Sequence, residues 1–387
     1  MERMRRIRSP RSDFGITIFL IGQDIDLVMK VSEKVVVINF GYKISEEAPA
    51  EVQSNPHVIE TYPGVEEEAE AMRSLISGPN DAGRRLDRFL SSVYPHLPPA
   101  LIQRWIREKR VRLRGGHHPP SARVENGDEI RLYLPDQALA RPREDEAHRM
   151  IAQPKLDVVY QDGQILLANK PAGLSVHADE RDAVNTLIGH IRAYLYRAGE
   201  WDPKSENSFA PALCHRLDRN TAGLILAAKT APALRVLNEK MANREIKKLY
   251  LCLVHGVLSP PEGMLTHFLR RDTERKRAAV FNSPVPGGRT ATLRYQTRGV
   301  CNERSLIEVE LLTGRTHQIR AQMAHIGHPL IGDGKYGRDN GGQALCAYKL
   351  AFAFSSPAPP LDYLNGKEFA IPPPVWALKY EQPNFRS

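Results

Sequence analysis

The stretch His215-Arg216-Leu217-Asp218-Arg219-Asn220-Thr221-Ala222-Gly223, running directly into Leu224-Ile225-Leu226-Ala227-Ala228, decides how this chain is read. It sets one carboxylate between two guanidinium groups and then enters an unbroken apolar run of strand length. Such a run reads as a short buried strand, so Asp218 is expected on a loop at the edge of a rigid sheet, where reactive groups are commonly mounted. The segment also has a bland reading, because an Asp salt-bridged to Arg on a charged loop is usually structural.

Further along, Thr230, Pro232, Leu234, Leu237 and Met241 predict a capped helix with an inward stripe. Ile307, Val309 and Leu311 alternate with Glu308 and Glu310 as a half-buried strand running into a turn at Thr313-Gly314. Thr316 is expected to cap the next helix, whose Ile319, Met323 and Ile326 face the core and which ends at Gly327. That leaves His317, Arg320 and Ala324 together on another face. Hairpin-linked strands dominate over βαβ units, so the fold class expected is α+β on a mainly antiparallel mixed sheet, preceded by a small α/β module.

The chain has 387 residues with 42% apolar content, enough for two or three domains with cores of their own. No segment approaches the roughly 18 to 20 uninterrupted apolar residues of a membrane span. The basic start lacks the apolar core and cleavage site of a secretion signal. A net charge of +9 points to a polyanionic partner. Cys214, Cys252, Cys301 and Cys346 form no C-x-x-C pair, so neither zinc nor a disulfide framework is indicated, and a reducing cytoplasm fits. Cys214, beside the Asp218 segment, has no base next to it and reads as a small buried filler. His317, His325 and His328 near Asp333 do not match common zinc spacings, and the arginines around them would repel a cation. Gly327-His328-Pro329-Leu330-Ile331-Gly332-Asp333-Gly334-Lys335 is not a nucleotide loop either, since Asp333 falls where the lysine should be.

From Arg84 to Arg114 there are nine Arg or Lys and two acids. Leu86, Phe89 and Leu90, then Leu101 and Trp105, are spaced for two short helices with arginines on the other side. Val111-Arg112-Leu113, the Gly115-Gly116 turn and Val124 to Leu132 read as strands closing the module. Because the positive charge is clustered, RNA is the expected partner, with Arg88, Arg104, Arg107 and Lys109 as contacts. The organisation expected is a segment over 1–71, an RNA-binding module over 82–135, a charged linker over 136–155 and a catalytic domain over 156–381.

Four motifs carry a resemblance. His215 to Thr221, Lys170-Pro171-Ala172-Gly173-Leu174-Ser175-Val176-His177, Lys247-Lys248-Leu249-Tyr250-Leu251 and Thr313-Gly314-Arg315-Thr316-His317-Gln318-Ile319-Arg320 stand in the order found in the RluA family of pseudouridine synthases, which the chain resembles from about Leu156 to Tyr348. The resemblance implies isomerisation of uridine to pseudouridine, with Asp218 as the nucleophile on either the base or the anomeric carbon. It assigns Tyr250 to the active site and makes Arg320 the partner that holds Asp218. Arg216 would fill the gap left by a flipped-out uridine, and Arg219, Arg315 and Lys335 would meet phosphates. The isomerisation calls for no redox step, cofactor or metal.

The module over 82–135 resembles the small RNA-binding domain of ribosomal protein S-four, which favours large-subunit ribosomal RNA as substrate. Transfer RNA, or a non-catalytic RNA-binding or ribosome-assembly role, remains the alternative, and a monomer is expected. The first 65 residues resemble instead the C-terminal tail of ATP-binding subunits of branched-chain amino acid transporters, through Ile16-Thr17-Ile18-Phe19-Leu20-Ile21, Val35 to Ile44 and Asn55 to Tyr62. That fragment has no Gly-x4-Gly-Lys-Ser/Thr loop, and Gln23 stands where that family usually has a histidine. It is expected to be a fusion relic, or an extension ahead of a true start near Met72.

Overall fold

The structure, a computed structural model, describes residues 28–30, 32–39, 42–55, 58, 71–134, 139, 151–178, 184–275, 277–337 and 339–380. The chain divides into two compact units, residues 1–72 with 133–138, and residues 73–132 with 139–387. In the first, β1 (Val35–Asn39) and β2 (Tyr42–Glu47) form a hairpin followed by α1 (Pro49–Ser54), with Val35, Val52 and Val58 packed together. Of the segments that carry the transporter resemblance, Ile16 to Ile21, Gly41 and most of Asn55 to Tyr62 lie outside the described residues, as does most of the 136–155 linker.

A helical hairpin of α2 (Leu86–Val93) and α3 (Pro99–Arg107) packs with a small sheet whose order is β3 (Ala71–Ile76), β5 (Glu129–Leu134), β4 (Val111–Leu113). Leu86, Phe89 and Leu90 are buried as the spacing requires. On α3 the buried pair is Ile102 and Ile106, and the expected Leu101 and Trp105 are only half-buried. The two isoleucines, one turn apart, point between the helices, which leaves the indole at the flank. The module is fastened to residues 206–231 by buried polar contacts. Asp81 is buried and accepts from Ser208 Oγ at 2.7 Å, Asn207 Nδ2 at 2.9 Å and Gly78 N at 2.9 Å. Asn80 donates to Glu206 Oε1 at 2.7 Å and accepts from Ala231 N at 2.9 Å.

The main sheet is built from β6 (Asp157–Gln161), β7 (Ile165–Lys170), β8 (Ala212–Leu213), β9 (Ala222–Ala228), β10 (Ile246–His255), β11 (Glu262–Asp272), β12 (Arg277–Phe281), β13 (Arg289–Cys301), β14 (Arg304–Leu311), β15 (Leu345–Phe352) and β16 (Glu368–Ala370). Its order is β12-β11-β13-β14-β10-β15-β9-β7-β6, with β16 beside β15 and β8 beside β9. Neighbours run antiparallel except β9 and β15, which are parallel through Ala222 opposite Cys346 and Gly223 opposite Ala347. Around it lie α4 (Leu187–Arg197), α5 (Ala231–Ala242), α6 (Gln318–His325) and α7 (Val375–Leu378). Among the described residues no helix is long and apolar enough to cross a membrane.

The run Leu224 to Ala228 is apolar throughout because β9 is covered on both faces. Ile225 and Ala227 join one core with Leu166, Ala168, Ile191, Tyr250, Ile307 and Ile319. Leu224, Leu226 and Ala228 join the other with Ile165, Leu167, Leu237 and Phe352. Thr230 caps α5 by accepting from Ala233 N, as expected. The expected cap of α6 is one residue out: His317, not Thr316, precedes the helix, in the left-handed region at φ 54° and with no side-chain cap. The tight Thr313 to His317 turn ends in that conformation, and the Gln318 side chain serves the turn instead by accepting from Arg315 N at 3.0 Å and Thr313 Oγ1 at 2.8 Å.

Gly223 sits at φ 118°, and a Cβ there would lie 2.2 Å from the carbonyl oxygen of Ala347. Only glycine lets the two parallel strands approach this closely. Gly223→Ala is therefore expected to cost about 3 kcal/mol or more, measured as the shift in urea unfolding midpoint at unchanged slope.

Candidate active site

Lys170, the last residue of β7, is fully buried, and its Nζ donates to the carbonyls of Pro171, Leu174 and Arg219, each at 2.9 Å. An ammonium has three donors, and each proton here finds an acceptor. The loop after Lys170 is thereby sewn to the loop after β8. Gly173 N donates to Arg219 O at 2.9 Å, and Arg219 Nε returns a bond to Gly173 O at 2.8 Å. Thr221 N closes the turn onto Asp218 O at 3.0 Å, and Gln343 Nε2 holds Thr221 Oγ1 at 2.6 Å. Leu217 plunges into the core, which turns its neighbour Asp218 outward. Burial pulls the Lys170 ammonium down to about 8, with the nearby Asp218 carboxylate working the other way.

Asp218 opens onto a cleft of about 480 Å³ lined by residues that include Arg219, Asn220, His317, Arg320, Asp333, Lys335 and Gln343. Arg320 Nη1 approaches Asp218 Oδ2 at 3.4 Å. The rest of the guanidinium is held by Asp333 through a bidentate pair, Nε to Oδ2 at 2.7 Å and Nη2 to Oδ1 at 2.8 Å. Asp333 in turn accepts from Lys335 N and Tyr336 N at 3.0 and 3.2 Å. Burial opposes the charge on both partners, but their pairing outweighs it, raising the Arg320 guanidinium and lowering the Asp333 carboxyl. Among the described residues no hydrogen bond reaches Asp218 Oδ1, which leaves that oxygen for a substrate.

Tyr250 lies under the cleft on β10, 5% exposed, beside Leu217, Ala347 and Ile319 in the same core. The β10 to β15 register shifts between Leu249 and Tyr250, an irregularity of the kind that re-aims side chains next to active sites. Burial first, and the Asp218 carboxylate second, push its phenol well above the usual range, so it stays a neutral donor. A fixed carboxylate, a neutral phenol and a basic rim suit nucleophilic attack on a base held beside phosphates.

The fold thus gathers Asp218, Arg219, Arg320 and Lys335 in one cleft, with Tyr250 buried in the core near enough to feel the Asp218 carboxylate. Arg216 is exposed on the same loop, and Arg315 is not on the cleft at all: its Nε donates to Thr290 O at 3.0 Å. The expected role of Arg320 needs amending, since its strong partner is Asp333 and its contact with Asp218 is single and longer. On the helical module Arg88, Arg107 and Lys109 are exposed, whereas Arg104 is engaged by Glu108 at 2.7 Å. Burial pushes the Cys214 thiol up to about 12, which suits an inert filler. His325 bonds Asn282, His328 bonds the carbonyl of His255, and His317 bonds Tyr336, so the three histidines go to separate neighbours. Among the described residues no three His, Cys, Asp or Glu gather to hold a metal ion. Sequence reasoning missed Lys170, Asp333, His317 and Gln343 as site residues. The available signals were the charged residue inside the glycine-rich Gly332-Asp333-Gly334 turn, the place of His317 on the helix face of Arg320, and the place of Lys170 at the head of a motif.

The family profile for RNA pseudouridylate synthase matches residues 164–325. An uncharacterized RNA pseudouridine synthase of Bacillus subtilis, YlyB, is 31% identical over 274 residues, covering 69% of this chain and 85% of its own. Ribosomal large subunit pseudouridine synthase D of Escherichia coli is 32% identical over 259 residues, 67% of this chain and 74% of its own. Among solved structures, human RNA pseudouridylate synthase domain containing 4 aligns with 60% of this chain and 94% of its own, at 18% identity and a TM-score of 0.47.

Removing one charge of a buried pair strands the other. Asp333→Asn is expected to lower unfolding free energy by about 3 kcal/mol and to loosen Arg320, read together as a lower denaturant midpoint and a slower reaction at saturating substrate.

Proposed function

This chain belongs to the RluA family of RNA pseudouridine synthases and is an isomerase, and on that premise we propose that it modifies uridines of large-subunit ribosomal RNA with Asp218 as the nucleophile. The ribosomal substrate is supported by relatives named for it, which cover about two thirds of this chain. The reading of the site rests on one observation above all: Asp218 has one oxygen against the Arg320 guanidinium, the other open, and a loop immobilised by Lys170.

The reaction breaks the bond from C1′ to N1, forms one from C1′ to C5, moves a hydrogen off C5 and returns a proton to N1. It is redox-neutral. Asp218 starts it by attack on the base or on C1′, and the covalent link keeps the base in the cleft while it turns. The Tyr250 phenol is suited to stack on the base and, as a neutral donor, to supply a proton during the rearrangement. A paired uridine has to leave its stack at a cost of a few kcal/mol, and Arg216, exposed beside Asp218, is suited to occupy the gap. Arg219 and Lys335 carry positive charge at the rim for the flanking phosphates.

The helical module over 82–135 is read as an RNA-binding domain of the ribosomal protein S-four type, with Arg88, Arg107 and Lys109 facing RNA and Arg104 contributing through its ion pair with Glu108. Its support is the clustered charge and the polar fastening around Asp81. Residues 1–71 are read as a transporter-ATPase tail without catalytic role, supported by the missing phosphate loop.

Pseudouridine mapping of ribosomal and transfer RNA from wild-type, deletion and Asp218→Asn cells tests this. The same large-subunit sites are expected to vanish in both altered strains. Survival of every site would sink the proposal, and loss confined to transfer RNA would move the substrate there.

A further inference from the structure

His317 has no role in the chemistry assigned to Asp218 and Tyr250, yet three observations converge on it. It is one of only a few non-glycine residues with positive φ among those described, at 54°, immediately before α6. A conformation this sparsely populated persists only where its surroundings over-determine it, and such residues concentrate at functional sites. Its Nε2 stands 3.9 Å from Asp218 Oδ2. Its Nδ1 stands 2.9 Å from Tyr336 Oη, which also receives the backbone N–H of Ala278 at 2.7 Å.

That last pair favours one placement of the imidazole proton. A backbone amide can only donate, so Tyr336 oxygen spends a lone pair on Ala278 and its own O–H is left to find an acceptor. With Nδ1 of His317 assigned as that acceptor, the imidazole hydrogen sits on Nε2, the atom facing Asp218. Burial lowers the imidazole pKa, as do Arg320 and Lys335, while the Asp218 and Asp333 carboxylates pull the other way.

We propose that His317 is a positioning residue for the nucleophile: its proton is directed onto Nε2 by the Ala278 to Tyr336 relay, and that N–H aligns the Asp218 carboxylate for attack. This rests on Asp218 being the nucleophile. At 3.9 Å the pair is longer than a made hydrogen bond, and catalytic contacts of this kind tighten when substrate engages. Arg320, clamped by Asp333, and His317 then both approach Asp218 Oδ2 from the N-terminal end of the same helix, so one carboxylate oxygen is held by two donors while Oδ1 is left for attack.

The test uses the full chain and release of tritium from C5-labelled ribosomal RNA, since every isomerisation displaces that hydrogen. His317→Gln carries an amide N–H to the place of Nε2. His317→Asn tolerates the left-handed backbone at least as well, but its shorter amide ends near Nδ1. The expectation is that Asn lowers kcat on the order of 10- to 100-fold with KM for RNA nearly unchanged, while Gln restores most of it. Equal kcat in Asn, Gln and wild-type proteins, or a loss carried wholly by KM, would overturn the proposal.

Tyr336→Phe supplies an independent readout that keeps the ring stacked against Arg320. At pH 8 its imidazole is free to put the proton on either nitrogen, so kcat should fall several-fold. Protonation, which burial holds below the ordinary imidazole value of about 6.5, places an N–H on both nitrogens whatever the tautomer, and the deficit relative to wild type should shrink as the pH falls from 8 through that lowered value. The facing charges, Asp218, Asp333, Arg320 and Lys335, are the same in both proteins and cancel in the ratio. A deficit that stays constant over that range would refute the relay. Asp218→Asn run in parallel separates the two levels: if it keeps activity the nucleophile assignment fails, and if it is inactive while the His317 variants are unaffected only the positioning role fails.

Discussion

One guanidinium organises this site. Arg320 is nearly buried on α6, and a buried cation is tolerated only when paired and fully hydrogen-bonded. Asp333 meets that demand with two short bonds, and its own remaining capacity is filled by the backbone of Lys335 and Tyr336. The third arm of Arg320 is therefore aimed, not floating, when it meets Asp218. Helix α6, the turn at Gly332 to Tyr336 and the loop ahead of β9 become one rigid unit through a single side chain.

The second anchor is Lys170, which does for the backbone what Asp333 does for Arg320. Its ammonium gathers three carbonyls from two loops, including that of Arg219, next to Asp218. Asp218 precedes β9, the strand that is antiparallel to β7, which ends at Lys170, and parallel to β15. Gly223 makes that junction sterically possible. Precision at Asp218 thus comes from strand ends and buried charges, while Arg216 stays exposed at the rim.

Much of the framework was legible because it rests on local chemistry. The apolar run of β9, the alternation of β14 and the Thr230 cap each follow from periodicity or from one hydroxyl near one backbone amide. The misjudged details are those set by competition between neighbours. Trp105 and Ile106 both suit a buried face, and only the packing of α2 against α3 favours the isoleucine. Thr316 is a good cap by type, but the turn before α6 closes with His317 in the left-handed region and leaves Thr316 exposed.

The sequence by itself determined the family, the Asp218 segment and the strand it leads into, since these depend on residue types at fixed short spacings. Only the tertiary structure decided that Asp333 is the true partner of Arg320, that Lys170 ties the loops, that Arg315 faces β13 and not the cleft, and that the helical module is fastened through Asp81. Each of those is a contact between residues distant along the chain or a choice among equivalent donors. Which one forms depends on where the folded backbone leaves a buried polar group without water, and no spacing in one dimension encodes that.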